Sequence, residues 1–201
     1  MHDMLPYTDE ELVIRYREGN DEAFTALVDR YLKPAYNFSI RLGAPARDAE
    51  EIVQESFVKL WKNIDSFRAG EKFKTWFYTI VRNATIDVMR RKRHVLLSAF
   101  EDEEGNNPVA ERLVDEEKLA HEIFESAENA AAVEQLVGEL PDKYRAVVVL
   151  RYREEMEFEE IGKILKKPLN TVKSQHRRAL IALRKKMSDA PKNRRPTYEP
   201  S

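Results

Sequence analysis

Three side chains spaced seven residues apart in segment 73–93 have the chemistry to hold an unpaired nucleic-acid strand. They are Trp76, Asn83 and Arg90. A helix completes nearly two turns in seven residues, so the three would form one row. An indole can stack on a base, an amide can pair with a base edge, and a guanidinium can neutralise a phosphate. The row therefore predicts a single-strand surface; the alternative is that Trp76 is mostly buried at the domain's edge.

The rest of the segment separates into a core stripe and flanking polar positions. The stripe lies within about 60° of one direction on a helical wheel and comprises Phe73, Phe77, Ile80, Val81, Ala84 and Val88. Thr79 is displaced from it together with the row, and Arg82 adds a cation. Arg82 can neutralise a phosphate of a bound strand.

A second basic surface is predicted near the C-terminus, where residues 166–186 include eight Lys or Arg and no acid. Its apolar wheel face comprises Val172, His176, Ala179, Leu180 and Leu183, and its opposite face comprises Ser174, Arg177, Arg178, Ile181 and Lys185. Asn170, Thr171 and Lys173 lie at the N-terminal end, where backbone N–H groups can bind phosphate and short polar side chains can reach base edges. His176 is expected to be a packed core histidine.

A short helical pattern, 158–167, precedes this basic helix, and Pro168 lies in the connection. Two helices joined by three to five residues, the second basic, are typical of a helix-turn-helix. The alternative is that the basic face is only solvated. The absence of acid on that face favours DNA binding.

An acidic face is predicted on helix 48–64. Ile52, Phe57, Leu60 and Ile64 are available for its own core, which leaves mainly outside Asp48, Glu51, Gln54, Glu55 and Lys59. One interpretation is a solvated surface. The other is a face complementary to a basic protein partner.

The elements that must position these surfaces are predicted to be helices throughout, because apolar residues recur at three and four spacing and glycine is scarce. Thr8 and Glu11 form a capping box for the first helix. The second runs from about Asp21 towards Gly43, and Pro34 could interrupt it. Pro141 is expected at the first position of a helix that contains a triple valine. The fold class is all-α.

Charge is segregated along the chain, since 35% of residues are charged but the net charge is only −2. Residues 101–128 contain eleven acids and two bases. We expect two small helical domains, 1–93 and 131–188, joined by an acidic linker, 94–130, and followed by a disordered tail, 189–201.

Several classes of function are disfavoured by what the sequence lacks. Without cysteine there are no disulfides, thiolate nucleophiles or cysteine-ligated metals. No phosphate-binding glycine loop or nucleophile motif occurs, and although His121 and Glu122 resemble part of a zincin helix, the second histidine is missing. We expect no catalytic residue, cofactor or metal. Without a signal-peptide core or a run of ~18 apolar residues, a soluble cytoplasmic protein is predicted.

Segment 140–180, LPDKYRAVVVLRYREEMEFEEIGKILKKPLNTVKSQHRRAL, resembles region four of bacterial sigma factors of the extracytoplasmic-function subfamily. Segment 48–93, DAEEIVQESFVKLWKNIDSFRAGEKFKTWFYTIVRNATIDVMRRKR, resembles region two of the same family. Two residues depart from the region-four pattern: Lys166 replaces a frequent glycine, and His176 occupies an apolar position.

The resemblance implies a sigma factor that binds core RNA polymerase and directs promoter-specific initiation. For the −35 duplex it implies binding by Asn170, Thr171, Lys173, Ser174, Arg177 and Arg178. For the melted −10 strand, with a base flipped into loop 66–73, it implies Ser66, Phe67, Arg68, Trp76, Thr79, Arg82, Asn83 and Arg90. For polymerase it implies Asp48, Glu51, Gln54 and Glu55.

The implied partners are the β′ coiled coil and the β flap of polymerase, promoter DNA and an anti-sigma factor. The acidic linker would thread through the polymerase active-site channel. One alternative is a helix-turn-helix regulator that acts without polymerase, but it would not need the −10 pattern. Another is a degenerate sigma paralogue that acts as an adaptor, which the intact motifs disfavour.

Overall fold

The computed structural model of the chain describes residues 7–68, 70–92, 116–124 and 130–189. Within these ranges every regular element is helical, which confirms the predicted all-α fold. The elements are α1 (Asp9–Arg17), α2 (Asp21–Arg41), α3 (Ala46–Asn63), the 3-10 helix η1 (Ile64–Ser66), α4 (Phe73–Lys92), α5 (Glu116–Phe124), α6 (Ala130–Gly138), α7 (Asp142–Tyr152), α8 (Phe158–Leu165) and α9 (Leu169–Asp189).

The described residues form two compact units. One contains those of 1–95 and 157–167, and the other contains those of 96–156 and 168–201. Helix α8 is grouped with the first unit by its spatial contacts. Within that unit, the Glu160 carboxylate accepts a hydrogen bond from Thr75 Oγ1 at 3.1 Å and pairs with Lys72 Nζ at 3.1 Å.

An aromatic core holds α1 to α4 of the first unit together. The Tyr31 ring lies edge-on to Phe73 and Phe77, with centroids 5.4 and 5.2 Å apart. The Tyr31 hydroxyl donates to Asp9, which also pairs with Arg30. Burial first, and then the bond to Asp9, raise the pKa of the Tyr31 phenol.

Helix α1 begins at its predicted cap, and helix α2 is continuous. The Thr8 and Glu11 capping box is present at the start of α1, as predicted. Helix α2 continues through Pro34, the position at which an interruption was considered. Buried Tyr31, Ala35 and Phe38 flank the proline, and this packing sustains the helix where intrinsic propensity opposes it.

In the second unit, α5, α6 and α7 pack around α9. The predicted apolar face of α9 is buried, including His176, whose Nε2 lies 2.8 Å from Tyr152 Oη. The Tyr152 ring also stacks on Phe124 with centroids 4.1 Å apart. The triple valine lies inside α7 and is buried.

The predicted linker 94–130 contains α5, which joins the second unit. Helix α6 is not among the predicted helices, although Val133 and Val137 have helical spacing and are buried. The remainder of the linker and residues 190–201 of the predicted tail lie outside the described residues.

Candidate nucleic-acid interface

The predicted single-strand row lies along α4 and is accessible over its length. Trp76 and Asn83 are partly exposed, and Arg90 is exposed. The core stripe beside it is buried, apart from Ile80, which is partly exposed. Trp76 is thus neither fully buried nor free, because its ring packs against Phe67 and Phe73 at 5.3 and 6.0 Å between centroids. The ring of Trp76 can therefore pack against these two phenylalanines on one side while its exposed part remains accessible to a base.

Phe67, which is predicted to bind −10 DNA, is mostly buried. Only 7% of it is exposed, and its ring packs against Phe73 and Trp76. An apolar ring at the end of η1 is more stable against this aromatic cluster than in water. Its neighbours Ser66 and Arg68 are exposed, and the Ser66 hydroxyl donates to the Asn63 carbonyl at 2.6 Å.

The amide of Asn83 is oriented by its neighbour. Arg82 Nη1 donates to Asn83 Oδ1 at 3.1 Å, which leaves the amide N–H groups as the available donors. Burial lowers the pKa of the Arg82 guanidinium, but that group remains charged at neutral pH. The nearby Thr79 hydroxyl donates to the Thr75 carbonyl at 2.8 Å and keeps acceptor capacity.

The acidic face of α3 carries Glu51 and Gln54, which are exposed, and Glu55, which is partly exposed. The Glu55 carboxylate pairs with Lys59 Nζ at 2.9 Å and with Arg91 Nη2 at 2.7 Å. Hydrogen bonding from Lys59 is the main reason that the pKa of Glu55 is below its ordinary value. Glu55 therefore stays ionised at neutral pH.

Asp48 was expected on the outer face of α3, and this placement is wrong. Its side chain is only 6% exposed, and its carboxylate lies 3.6 Å from Arg47 Nε. Asp48 sits in the first turn of the helix, where a carboxylate is stabilised by unpaired N–H groups and the helix dipole. This position at the helix N-terminus helps to stabilise the carboxylate despite its burial.

Two apolar side chains extend the acidic face and were not assigned from sequence. Val58 is 49% exposed and Trp61 is 55% exposed. They follow Glu51, Gln54 and Glu55 at helical spacing, which is the signal that could have identified them. Trp61 Nε1 donates to Tyr16 Oη at 2.8 Å, so its ring is held in a defined orientation.

The basic surface of α9 has the predicted arrangement. Asn170, Lys173 and Ser174 are exposed, and the partly exposed predicted residues are Thr171, Arg177 and Arg178. Gln175, which was not assigned, is buried, and its Oε1 has no hydrogen-bond partner within the described structure. Within 166–186 the exposed side chains include no acid, so this surface is suited to a polyanion.

The connection that follows α8 contains one of the two departures from the family pattern. Lys166 ends α8 in the left-handed conformation with φ +55°, which normally favours glycine. The N–H of Lys167 donates to the Gly162 carbonyl at 3.0 Å, which closes the turn. The sharp turn is therefore formed despite the lysine.

No group of three or more histidine or acidic side chains arranged to hold a metal occurs among the residues that the structure describes. In the same part of the chain, each helix is too short or too polar to cross a membrane.

The chain is similar to known families and proteins over most of its length. Sigma-70 region 2 matches residues 27–95, and Sigma-70 region 4 matches residues 130–183. The ECF RNA polymerase sigma factor SigW of Bacillus subtilis is 37% identical over 175 residues, which is 86% of this chain and 93% of that protein. The ECF RNA polymerase sigma-E factor of Escherichia coli K12 is 32% identical over 193 residues, with 90% and 94% covered.

Solved structures share the fold. CnrH in complex with the cytosolic domain of CnrY has a TM-score of 0.64 at 23% identity and covers 90% of this chain and 99% of its own. The sigma factor RpoE in complex with the anti-sigma factor NepR from Bartonella quintana has a TM-score of 0.59 at 23% identity, with 84% and 98% covered.

Proposed function

Because this chain belongs to the extracytoplasmic-function sigma factors of the sigma-70 family, we propose that its surfaces divide promoter recognition and polymerase binding between them. The protein directs promoter-specific initiation by core RNA polymerase. The observation that carries the division of labour is the presence of two different cationic surfaces in one chain. One has an aromatic and amide row on α4, and the other is a basic face on α9.

Helix α9 is proposed to enter the major groove at the −35 element. Asn170, Thr171 and Ser174 are short and polar, which suits contact with base edges. Lys173, Arg177 and Arg178 supply the charge that holds the duplex. We assign 131–188 to this −35 module, with α8 as the first helix of the helix-turn-helix.

The row on α4 is proposed to hold the melted −10 strand. Trp76 stacks on an unpaired base, Asn83 donates to a base edge, and Arg90 neutralises phosphate, with Thr79 and Arg82 beside them. Ser66 and Arg68 lie in the loop that receives a flipped base. Unpairing costs a few kcal/mol per base, and these contacts offset that cost because they exist only with the opened strand. Residues 1–93 form this module.

The exposed face of α3 is proposed to bind the β′ coiled coil. Glu51, Gln54 and Glu55 provide polar and charged complementarity, and Val58 and Trp61 provide apolar area at its centre and edge. Asp48 is not included, since its side chain is buried. The −35 module contacts the β flap, and the linker 94–130 follows the active-site channel.

The protein is proposed to work without catalytic residues or cofactors and to act in the cytoplasm, where polymerase is found. An anti-sigma factor is proposed as a further partner. Support comes from RpoE, which shares the fold and was solved with the anti-sigma factor NepR.

In vitro transcription with core polymerase on a genomic promoter library tests the function. We expect transcripts that start at a defined set of promoters only when this protein is added. The matched control is polymerase alone on the same library. DNA binding without protein-dependent transcripts would instead indicate a regulator that acts without polymerase.

Base stacking on Trp76 can be measured directly, because the chain has only two tryptophans. In Trp61→Phe, Trp76 is the sole reporter, and we expect its emission to be quenched when a −10 single strand is added. In Trp76→Phe, the remaining Trp61 should not respond. Removing a stacking ring altogether costs ~1–3 kcal/mol of binding free energy per base. Because phenylalanine keeps an aromatic ring, Trp76→Phe should bind the strand only modestly more weakly. An equal response from both variants would contradict the assignment.

A further inference from the structure

Both ends of the loop between η1 and α4 are held by polar side chains of α1. At the first end, Arg17 Nη2 donates to the carbonyls of Ile64 and Phe67, the second at 2.8 Å. Its Nε also lies 3.8 Å from the Asp65 carboxylate, but that side chain is 92% exposed. The two carbonyl contacts therefore fix the backbone, while the ion pair adds little.

At the other end, Glu10 Oε1 accepts a hydrogen bond from the N–H of Phe73 at 2.8 Å. Phe73 is the first residue of α4, and its N–H has no partner within the helix. A carboxylate at this position satisfies the donor and complements the helix dipole. Glu10 therefore sets the residue at which α4 begins.

The two contacts act through one helix face. Glu10, Val13 and Arg17 follow each other at spacings of three and four, and Val13 is fully buried. The buried valine anchors α1 between its two polar contacts. The distance between the loop ends is thus set by a rigid two-turn segment, not by the loop itself.

The backbone that Arg17 and Glu10 contact lies next to the groups proposed to read the −10 strand. Phe67, whose carbonyl Arg17 holds, packs its ring against Trp76 at 5.3 Å between centroids. It precedes the exposed Arg68, and Gly70 has φ +90° in the exposed part of the loop. A shift of Phe67 would therefore displace both the loop and the stacking tryptophan.

We propose that α1 is a brace for the −10 loop, and that Arg17 and Glu10 are positioning residues that set base preference at the −10 element. This inference rests on the proposed function of the loop and of α4. Both residues precede 27–95, the segment that Sigma-70 region 2 matches.

Holoenzyme assembled from the full chain and core polymerase can test the brace on a promoter library randomised at −10 with a constant −35. We expect Arg17→Ala to lower transcription from the preferred −10 sequences roughly tenfold and to flatten the base preference. Arg17→Lys can still donate to a carbonyl and should restore part of it. The control is Arg15→Ala, which removes a cation from the same helix. Arg15 lies over the Tyr7 ring, with its Cζ 3.8 Å from the centroid, and not at either end of the loop.

Glu10 supplies an independent pair of variants if Arg17→Ala does not fold. Glu10→Gln keeps an oxygen acceptor for the Phe73 N–H and should retain the preference, whereas Glu10→Ala should weaken it. Thermal unfolding of each variant separates loop positioning from loss of the fold. If Arg17→Ala and Glu10→Ala fold and keep the wild-type base preference at −10, the brace proposal is overturned, but the proposed function is not. No −10 preference in the wild-type holoenzyme overturns the proposed function as well.

Discussion

Lys173→Glu is expected to reduce −35-dependent promoter binding on the order of 100-fold at ~0.1 M salt. Lys173 is exposed in the first turns of α9, next to Asn170 and Thr171. The substitution removes one cation from the DNA face and places an anion beside the phosphates. The loss should therefore shrink as salt is raised, and the slope of log affinity against log salt should fall by about one to two.

The measurement is holoenzyme binding to promoter DNA over a salt series, with and without the −35 element. Lys33→Glu is the matched control, because it makes the same charge change at an exposed lysine of α2. Transcription from a promoter that does not need −35 contacts should be retained by Lys173→Glu. A loss equal to that of Lys33→Glu would place Lys173 outside the DNA interface.

The helices were largely predictable because their signals are local. The Thr8 and Glu11 capping box, the stripe of α4 and the apolar face of α9 depend only on helical periodicity and cap chemistry. Pro34 shows the limit of local rules. A helix-breaking residue is retained inside α2 because its neighbours are buried by tertiary packing.

The site was less predictable where burial depends on distant residues. A helical wheel places Asp48 towards the outer face but cannot show that the folded chain covers its side chain. Phe67 lies next to exposed loop residues in sequence, yet Phe73 and Trp76 cover it. The contacts of Arg17 span 47 and 50 residues, so no local pattern points to them.

The same distinction separates the two kinds of residue proposed for the −10 site. Trp76, Asn83 and Arg90 were identifiable because their chemistry and spacing coincide on one helix. Arg17 and Glu10 have no distinctive pattern in the sequence, and their proposed role arises from the backbone atoms that they hold. Residues proposed to read the strand are thus visible in sequence, whereas residues proposed to position them are identified only from the fold.

Asn83→Ala is expected to slow promoter opening about tenfold, the equivalent of one hydrogen bond of ~1.4 kcal/mol. Arg82 already donates to Oδ1 of Asn83, so the two amide N–H groups of Asn83 are the groups left fully available, and they donate to a base acceptor. Asn83→Asp keeps the pairing with Arg82 but has no donor at neutral pH, and it adds an anion beside the strand. It should therefore be more impaired than Asn83→Ala.

Open-complex formation can be followed by permanganate reactivity of −10 thymines, alongside duplex binding in the closed complex. Duplex affinity should be largely unchanged in both variants, because the contact forms only after melting. Asn37→Ala on α2 replaces another partly exposed asparagine and should open promoters normally. Equal losses in closed and open complexes, or an Asn83→Asp variant as active as the wild type, would contradict base recognition through the amide.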